Sequence, residues 1–166
     1  MEEEPLSKDW LIGFIEGEGN FNVALSNKKD NPNYPFDIYP MLQFRIFLRE
    51  DDLNALNKIR EFLGVGRIYK KKTEYNRRMG FRAKDQYVYC ISHSKELLKL
   101  KEIITPTTFH TKKAKDREIF FKILDLKVNK KHLTLEGNEQ IINLAKMMNS
   151  GMRENFKIKL NNGQKS

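Results

Sequence analysis

The segment from Trp10 to Phe21 constrains the fold of this chain more than any other. It reads WLIGFIEGEGNF, an apolar run that leads directly into two carboxylates separated by glycine. Ser7 is placed to cap the helix that this run predicts, and we expect that helix to be buried on all sides because none of its faces is polar. Gly13 and Gly17 lie four positions apart on one face, which allows a second helix to approach closely. Two acids at the end of such a helix are costly unless cations meet them.

The charge balance predicts a polyanionic partner. The 166 residues contain 31 Lys and Arg against 22 Asp and Glu, a formal net charge of +9. Nucleic acid is the simplest such partner, and solubility alone is the competing explanation. The one cysteine, Cys90, argues against a disulfide framework or a cysteine-based zinc site and suits a reducing compartment. No apolar run reaches transmembrane length and the acidic start is unlike a signal peptide, so we expect an intracellular protein that is not secreted and has no membrane partner.

Hydrophobic periodicity predicts an α+β domain with a four-stranded antiparallel sheet. The segments that alternate as strands are 20–26, 38–48, 67–72 and 86–92. The helices that should follow the first one are 51–62, 95–104, 112–128 and 135–148. We expect one domain over residues 1–149 and a basic, frayed C-terminal tail over 150–166.

One face of the sheet is expected to lie under helices while the other carries polar and basic side chains. In the strand 38–48, Phe44 and Ile46 alternate with Gln43, Arg45 and Phe47, which should face outward. Arginine and glutamine suit base edges, whereas loop lysines suit phosphates. The expected DNA-contacting residues are Asn20, Asn22, Ser26, Lys28, Lys29, Gln43, Arg45, Arg67, Lys70, Lys72, Arg77, Arg78, Tyr87 and Tyr89. A charged hairpin that is merely solvated is the alternative for the members between positions 67 and 89.

The residues LIGFIEGEG at 11–19 resemble the LAGLIDADG motif of homing endonucleases, with glutamate in place of both aspartates. The segments LQFRI at 42–46, FLGVG at 62–66 and TKK at 111–113 before a helix are similar to the same family. The resemblance covers residues 7–128 and implies the family's αββαββα fold, here followed by C-terminal helices. It implies a site-specific double-strand DNA endonuclease that hydrolyses a long, near-palindromic site and leaves short 3′ overhangs.

The resemblance also implies a homodimer, because members with one motif pair as two identical subunits and this chain has one copy. The expected dimer-interface residues are Trp10, Gly13, Phe14 and Gly17. The all-apolar helix with small residues on one face independently favours a two-fold contact of this kind.

The family's metal-binding acid, at the eighth position of the motif, falls on Glu18, with the carbonyl of Gly17 as a further ligand. Such oxygen ligands suit Mg²⁺, and Mn²⁺ or Ca²⁺ can occupy the same sites. Glu16, at the sixth position, is expected to have a structural role near the helix end. No small-molecule cofactor is expected.

The family's active-site lysine falls on Lys113, with Lys112 and Lys115 as neighbours in the alignment. Its implied role is to orient water and to stabilise charge at the phosphate. The alternative is that this lysine only contacts the DNA backbone from the start of a helix.

The chain departs from the family where related enzymes often place a glutamine at the end of the second strand, since Leu48 stands there. An arginine position in the following helix is Asp52, and Arg45 or Arg49 are candidate replacements. The histidines are scattered without metal-ligand spacing and are expected to be surface or structural residues; they are His93, His110 and His132.

Two other functions on the same fold remain open. One is an RNA maturase that assists intron splicing, an activity that can coexist with cleavage. The other is a DNA-binding regulator without catalysis, which would be expected to lose the acid at Glu18.

Overall fold

The structure, a computed structural model, describes residues 5–28, 31–71 and 85–148. The helices of this part of the chain are α1 Lys8–Glu18, α2 Leu53–Leu63, α3 Ser94–Ile104, α4 Lys113–Val128 and α5 Leu135–Met148. The strands are β1 Gly19–Asn27, β2 Ile38–Arg49, β3 Arg67–Lys71 and β4 Gln86–Ile91, and two short 3-10 helices lie at Glu50–Asp52 and Lys131–Leu133. The predicted element order and the α+β class are confirmed. The predicted C-terminal tail lies outside the described residues.

The four strands form one sheet in the order β1-β2-β4-β3. Strand β4 pairs antiparallel with β2 on one side and with β3 on the other. Residues directly opposite each other in such a ladder point to the same face of the sheet. The register therefore decides which side chains of β2, β3 and β4 can share a surface.

Backbone contacts divide the chain into two compact units. The first lies within residues 1–20 and 43–111, and the second within 21–42 and 112–166. The first unit has a fully buried aliphatic and aromatic core that includes Leu11, Ile15, Phe44, Ile46, Leu56, Ile59, Leu63, Tyr89, Leu97 and Leu100. The second has its own core, with Val23, Ile38, Leu42, Phe120, Ile123, Leu124, Ile141, Ile142 and Ala145 buried. No helix within the described ranges is long and apolar enough to cross a membrane.

Local chemistry fixes both ends of α1. The backbone N–H of Trp10 donates to Oγ of Ser7 at 3.2 Å, which is the predicted N-cap. At the other end the chain turns into β1 at Gly19, where a Cβ atom would lie 2.5 Å from the carbonyl oxygen of Ile15 and 3.0 Å from the Phe44 ring. Glycine is therefore required at this position by close packing, and any larger residue would push the helix end away from the sheet.

The second unit contains an aromatic cluster around His132. The Tyr34 ring stacks on the imidazole with centroids 6.2 Å apart, and the Tyr34 hydroxyl donates to the His132 carbonyl at 3.1 Å. Burial, helped by the Lys127 charge, lowers the pKa of His132 below its usual value. His132 thus packs as a neutral ring against aromatic neighbours, in keeping with a structural role.

Candidate active site and nucleic-acid interface

Glu18 is the last residue of α1, and its side chain is exposed. It makes no side-chain hydrogen bond or ion pair with the residues that the structure describes. An unengaged carboxylate oxygen is a hard ligand of the kind that divalent cations prefer. Over the described ranges no three His, Cys, Asp or Glu side chains are grouped to hold a metal. The exposed carboxylate of Glu18 could thus serve as one ligand of a cation whose other ligands come from water or phosphate.

Glu16 lies two residues earlier and is engaged by the backbone. Its Oε1 accepts from the N–H of His110 at 2.5 Å and from the N–H of Thr111 at 2.6 Å. Desolvation raises the pKa of the Glu16 carboxyl, but the hydrogen bonds from Thr111 and His110 outweigh it and lower the pKa below its ordinary 4.5. Glu16 therefore ties the end of α1 to a loop 94 to 95 residues further along the chain.

Lys113 is the first residue of α4 and is half-buried, whereas Lys112 and Lys115 are exposed. Helix α4 belongs to the second unit, and the Thr111 backbone that Glu16 holds lies two residues before Lys113 along the chain. The catalytic role of Lys113 stays a prediction.

Helix α1 is buried on one face only, so the prediction that it is buried all round is wrong for the single chain. Leu11, Ile12 and Ile15 are buried, while Trp10 is 45% exposed. Together with Trp10, the residues Gly13, Phe14 and Gly17 form a stripe at i, i+3, i+4 and i+7, which we call the α1 stripe. Both glycines are exposed, and a Cβ atom at either would meet nothing within 4 Å. The indole of Trp10 stacks on the Phe14 ring with centroids 4.7 Å apart.

The register places nine side chains in three rows on one face of β2, β4 and β3, which we call the outer face. The rows, read across the three strands, are Arg45-Cys90-Arg67, Phe47-Val88-Tyr69 and Arg49-Gln86-Lys71. Two cations lie over the Phe47 ring, since the Arg45 guanidinium and the Lys71 ammonium are each 5.4 Å from its centroid. Nε of Arg45 is buried and has no hydrogen-bond partner within the described residues. The outer face thus joins apolar contact area to cationic donors, as nucleic-acid surfaces do.

Three predicted DNA contacts lie on the opposite face, and the prediction is wrong for their orientation. Tyr89 is fully buried and its hydroxyl donates to the Val65 carbonyl at 2.7 Å, so it is a core residue. Tyr87 is half-buried on the same side as Tyr89. Lys70 also points to that side and forms an ion pair with Asp85 at 2.5 Å. Arg67 and Lys70 are three positions apart, and residues at odd spacing in a strand face opposite ways.

Several other predicted contacts lie at exposed or half-exposed positions, and their role in DNA binding stays a prediction. Asn20 is exposed and Asn22 is half-exposed, alternating with buried Phe21 and Val23. Partial exposure is shared by three further members of the predicted set, Ser26, Lys28 and Gln43. The remaining predicted contacts lie outside the described residues; they are Lys29, Lys72, Arg77 and Arg78.

The position where the family often has glutamine faces away from the outer face. Leu48 is half-buried opposite Tyr87, while the next residue, Arg49, is exposed on the outer face. Two arginines are candidates to replace the family's polar residue. Arg49 is the last residue of β2, and Arg45 lies two rows further along the outer face from Arg49.

Several outer-face residues were not among the predicted contacts. Tyr69, Lys71 and the aromatic Phe47 belong to it, and His93 contacts it through Arg67. Strand alternation could have found Tyr69 and Lys71 once Arg67 was placed outward. His93 had no sequence signal, because it reaches Arg67 from a position 26 residues away.

The chain matches the model of the family described as LAGLIDADG endonuclease over residues 11–124. This span covers more than half of the chain, so the protein belongs to the LAGLIDADG endonuclease family. The motif that opens the match is the one that ends at Glu18 and Gly19.

Two curated relatives come from Neurospora crassa. The chain is 32% identical over 146 residues to probable intron-encoded endonuclease 3 and 28% identical over 157 residues to probable intron-encoded endonuclease 2. These matches cover 87% and 92% of the chain but only 25% and 31% of the relatives. The chain therefore spans between a quarter and a third of the length of these proteins.

Solved structures share the fold. The homing endonuclease I-TnaI is 30% identical with a TM-score of 0.74, covering 89% of this chain and 91% of that one. I-SmaMI, solved bound to an uncleaved DNA target in the presence of calcium ions, is 28% identical with a TM-score of 0.77, covering 90% and 47%. The archaeal intron-encoded I-Vdi141I, complexed with DNA, is 26% identical with a TM-score of 0.72, covering 90% and 86%.

Proposed function

We propose that this chain is a site-specific endonuclease that cuts double-stranded DNA as a homodimer and depends on a divalent metal. The observation that carries the proposal is the exposed, unengaged carboxylate of Glu18 at the end of α1. It occupies the eighth position of the family motif, where the resemblance assigns the metal-binding acid. The proposed site is long and near-palindromic, and cleavage leaves short 3′ overhangs. The enzyme would act in whichever intracellular compartment holds its target DNA.

Glu18 and the carbonyl of Gly17 would hold Mg²⁺, with Mn²⁺ or Ca²⁺ as possible substitutes, since all three accept oxygen ligands. A metal bound there would supply an activated water and charge stabilisation at the leaving 3′ oxygen. The Lys113 ammonium would orient water and balance negative charge at the phosphate. Glu16 would take no part in the chemistry, because its carboxylate oxygen already accepts two backbone N–H groups.

The α1 stripe supports the homodimer. It presents an aromatic pair and two glycines at helical spacing, and an added Cβ atom at either glycine would meet no atom within 4 Å among the residues that the structure describes.

The outer face supports DNA as the substrate. Its cationic rows carry arginines that can read guanine edges, and the accessible Phe47 and Tyr69 of its middle row offer apolar contacts of the kind that suit thymine methyl groups. Two of the similar structures were solved with DNA bound.

An RNA maturase is the second candidate, because two relatives are named as intron-encoded. The same outer face would bind structured RNA, and the activity can coexist with DNA cleavage. A splicing assay on the intron that contains the gene would separate the two activities.

The proposal is tested by cleaving a randomised double-stranded DNA library with Mg²⁺ or with EDTA and sequencing the ends. The expected result is Mg²⁺-dependent enrichment of one near-palindromic site with 3′ overhangs, and its loss in the Glu18→Gln variant. Selective binding without any cleavage would contradict the enzyme and favour the regulator.

A further inference from the structure

Arg67, on the outer face, is held from the side by a histidine. Its Nη2 lies 2.8 Å from Nε2 of His93, and both side chains are exposed. His93 is the N-cap residue of α3, with extended backbone at φ −76° and ψ 133°, so its position is set by the start of that helix. Arg67 lies in the same row of the outer face as Cys90 and Arg45.

The chemistry of the two groups decides which atom donates and which accepts in this hydrogen bond. A guanidinium offers only donors, so Nε2 of His93 must accept and the remaining ring proton lies on Nδ1. In this hydrogen bond the imidazole acts through its acceptor nitrogen and not through a charge. The hydrogen bond to His93 fixes the orientation of the Arg67 side chain, because one N–H of the planar guanidinium is engaged and the plane can no longer rotate freely.

The orientation of the guanidinium plane matters for recognising a base and much less for binding a phosphate. Two parallel hydrogen bonds to O6 and N7 of guanine need the guanidinium plane aligned with the base, whereas a phosphate is satisfied by charge. Fixing the side chain before binding also reduces the conformational entropy lost on association. Arg49 provides the contrast, since it is exposed on the same face with no side-chain partner within the described residues.

We propose that His93 is a positioning residue for sequence recognition: it orients the Arg67 guanidinium to bind one guanine in each half of the DNA site. This inference rests on the proposed function, because it concerns the target of the same DNA-binding face. It assigns Arg67 to base recognition and leaves Arg49 to phosphate contact.

The test measures binding of the full chain to every single-base variant of its selected target. Arg67→Ala should reduce discrimination at one base pair per half-site by about tenfold or more, as expected for a lost bidentate pair. His93→Ala should reduce discrimination at that same base pair, with an unchanged salt dependence because no charge is removed. His93→Gln, which keeps an acceptor oxygen, should restore much of the discrimination.

Two comparisons decide between positioning and a general structural role. Adding His93→Ala to Arg67→Ala should produce no further loss, because His93 acts only through Arg67. Arg49→Ala should weaken binding evenly across all variants and reduce the salt dependence. An even loss from His93→Ala, an unchanged profile, or additive effects in the double variant would overturn the inference. Failure of the proposed function looks different, because the unmodified chain would then select or cleave no site at all.

Discussion

Glu16 and Glu18 are separated by one glycine, yet the structure treats them differently. The Glu16 carboxylate accepts two backbone N–H groups from a distant loop, and the hydrogen bonds lower its pKa despite the opposing effect of desolvation. The Glu18 side chain is exposed at the helix end without a side-chain partner within the described residues. Glu16 therefore stabilises the fold, whereas Glu18 remains available to bind a ligand.

The difference shows that the type of residue and its place in a motif do not by themselves assign a role. Both acids are glutamates and both stand where the family motif has aspartates. The distinguishing fact is which partner atoms lie within reach. Lys70 and Lys71 differ in the same way, because Lys70 is paired with Asp85 on the face opposite to the outer face while Lys71 lies over Phe47 on the outer face.

The largest expected effect is at Glu18. Glu18→Gln should reduce single-turnover cleavage by about a thousandfold while leaving DNA affinity within a few-fold, since a metal ligand supplies several kcal/mol to the chemical step. Glu16→Gln is the matched control and should keep metal-dependent cleavage. Equal losses of cleavage rate in Glu18→Gln and Glu16→Gln would contradict a functional difference between the two acids.

The next effect concerns the α1 stripe, which would bring two copies of Glu18 together. Gly13→Leu should weaken dimerisation by roughly fivefold to a hundredfold, because overpacking a close interface costs about 1–3 kcal/mol. The single chain should remain folded, since a Cβ atom at this position meets nothing within 4 Å. Sedimentation across a concentration series checks this, with Gly13→Ala as the milder variant. An unchanged dimer affinity in Gly13→Leu would show that the dimer interface does not include the α1 stripe.

A smaller effect separates the two lysines. Lys71→Ala should weaken DNA binding and reduce the slope of log affinity against log salt by about one, as expected for one lost phosphate contact. Lys70→Ala should change the slope much less because its ammonium is paired with Asp85. Binding measured from low to moderate salt checks both. A larger slope change in Lys70→Ala would show that the assignment of faces is reversed.

The smallest effect is the pH dependence of stability at Glu16. A carboxyl whose pKa is lowered on folding stabilises the native state above its ordinary pKa, here 4.5, and the stabilisation is lost as pH falls through the lower folded value. The wild type should therefore be more stable than Glu16→Gln at neutral pH, with the gap closing as pH falls below 4.5 and through the lower folded pKa. Urea unfolding at several pH values measures the gap. A gap independent of pH would show that the backbone contact does not depend on the charge.

Much of the fold could be predicted from the sequence because its signals are local. Alternation in 20–26 and 38–48 and the Ser7 cap each depend on residues close together along the chain. The orientation of β3 and β4 was harder, since both strands are short and their polar and aromatic residues do not alternate cleanly. Tyr89 was misplaced because a tyrosine suits both a core and a DNA surface, and only its hydrogen bond to Val65 decides.

The candidate site was predictable only in part. The motif pointed to Glu18, but the contact that occupies Glu16 comes from residues more than ninety positions away. The pairing of Arg67 with His93 is likewise a product of tertiary structure. Side-chain partners at long sequence separation have no signal in a single sequence, whereas helix caps and strand alternation do.

The most direct test of the central claim is calorimetric titration of Ca²⁺ into the protein bound to its selected DNA target. The wild type and Glu16→Gln should bind the ion with similar affinity, and Glu18→Gln should bind at least about tenfold more weakly, as expected when a carboxylate ligand is removed. Unchanged Ca²⁺ affinity in Glu18→Gln, or a loss confined to Glu16→Gln, would contradict the assignment of Glu18 as the metal-binding acid.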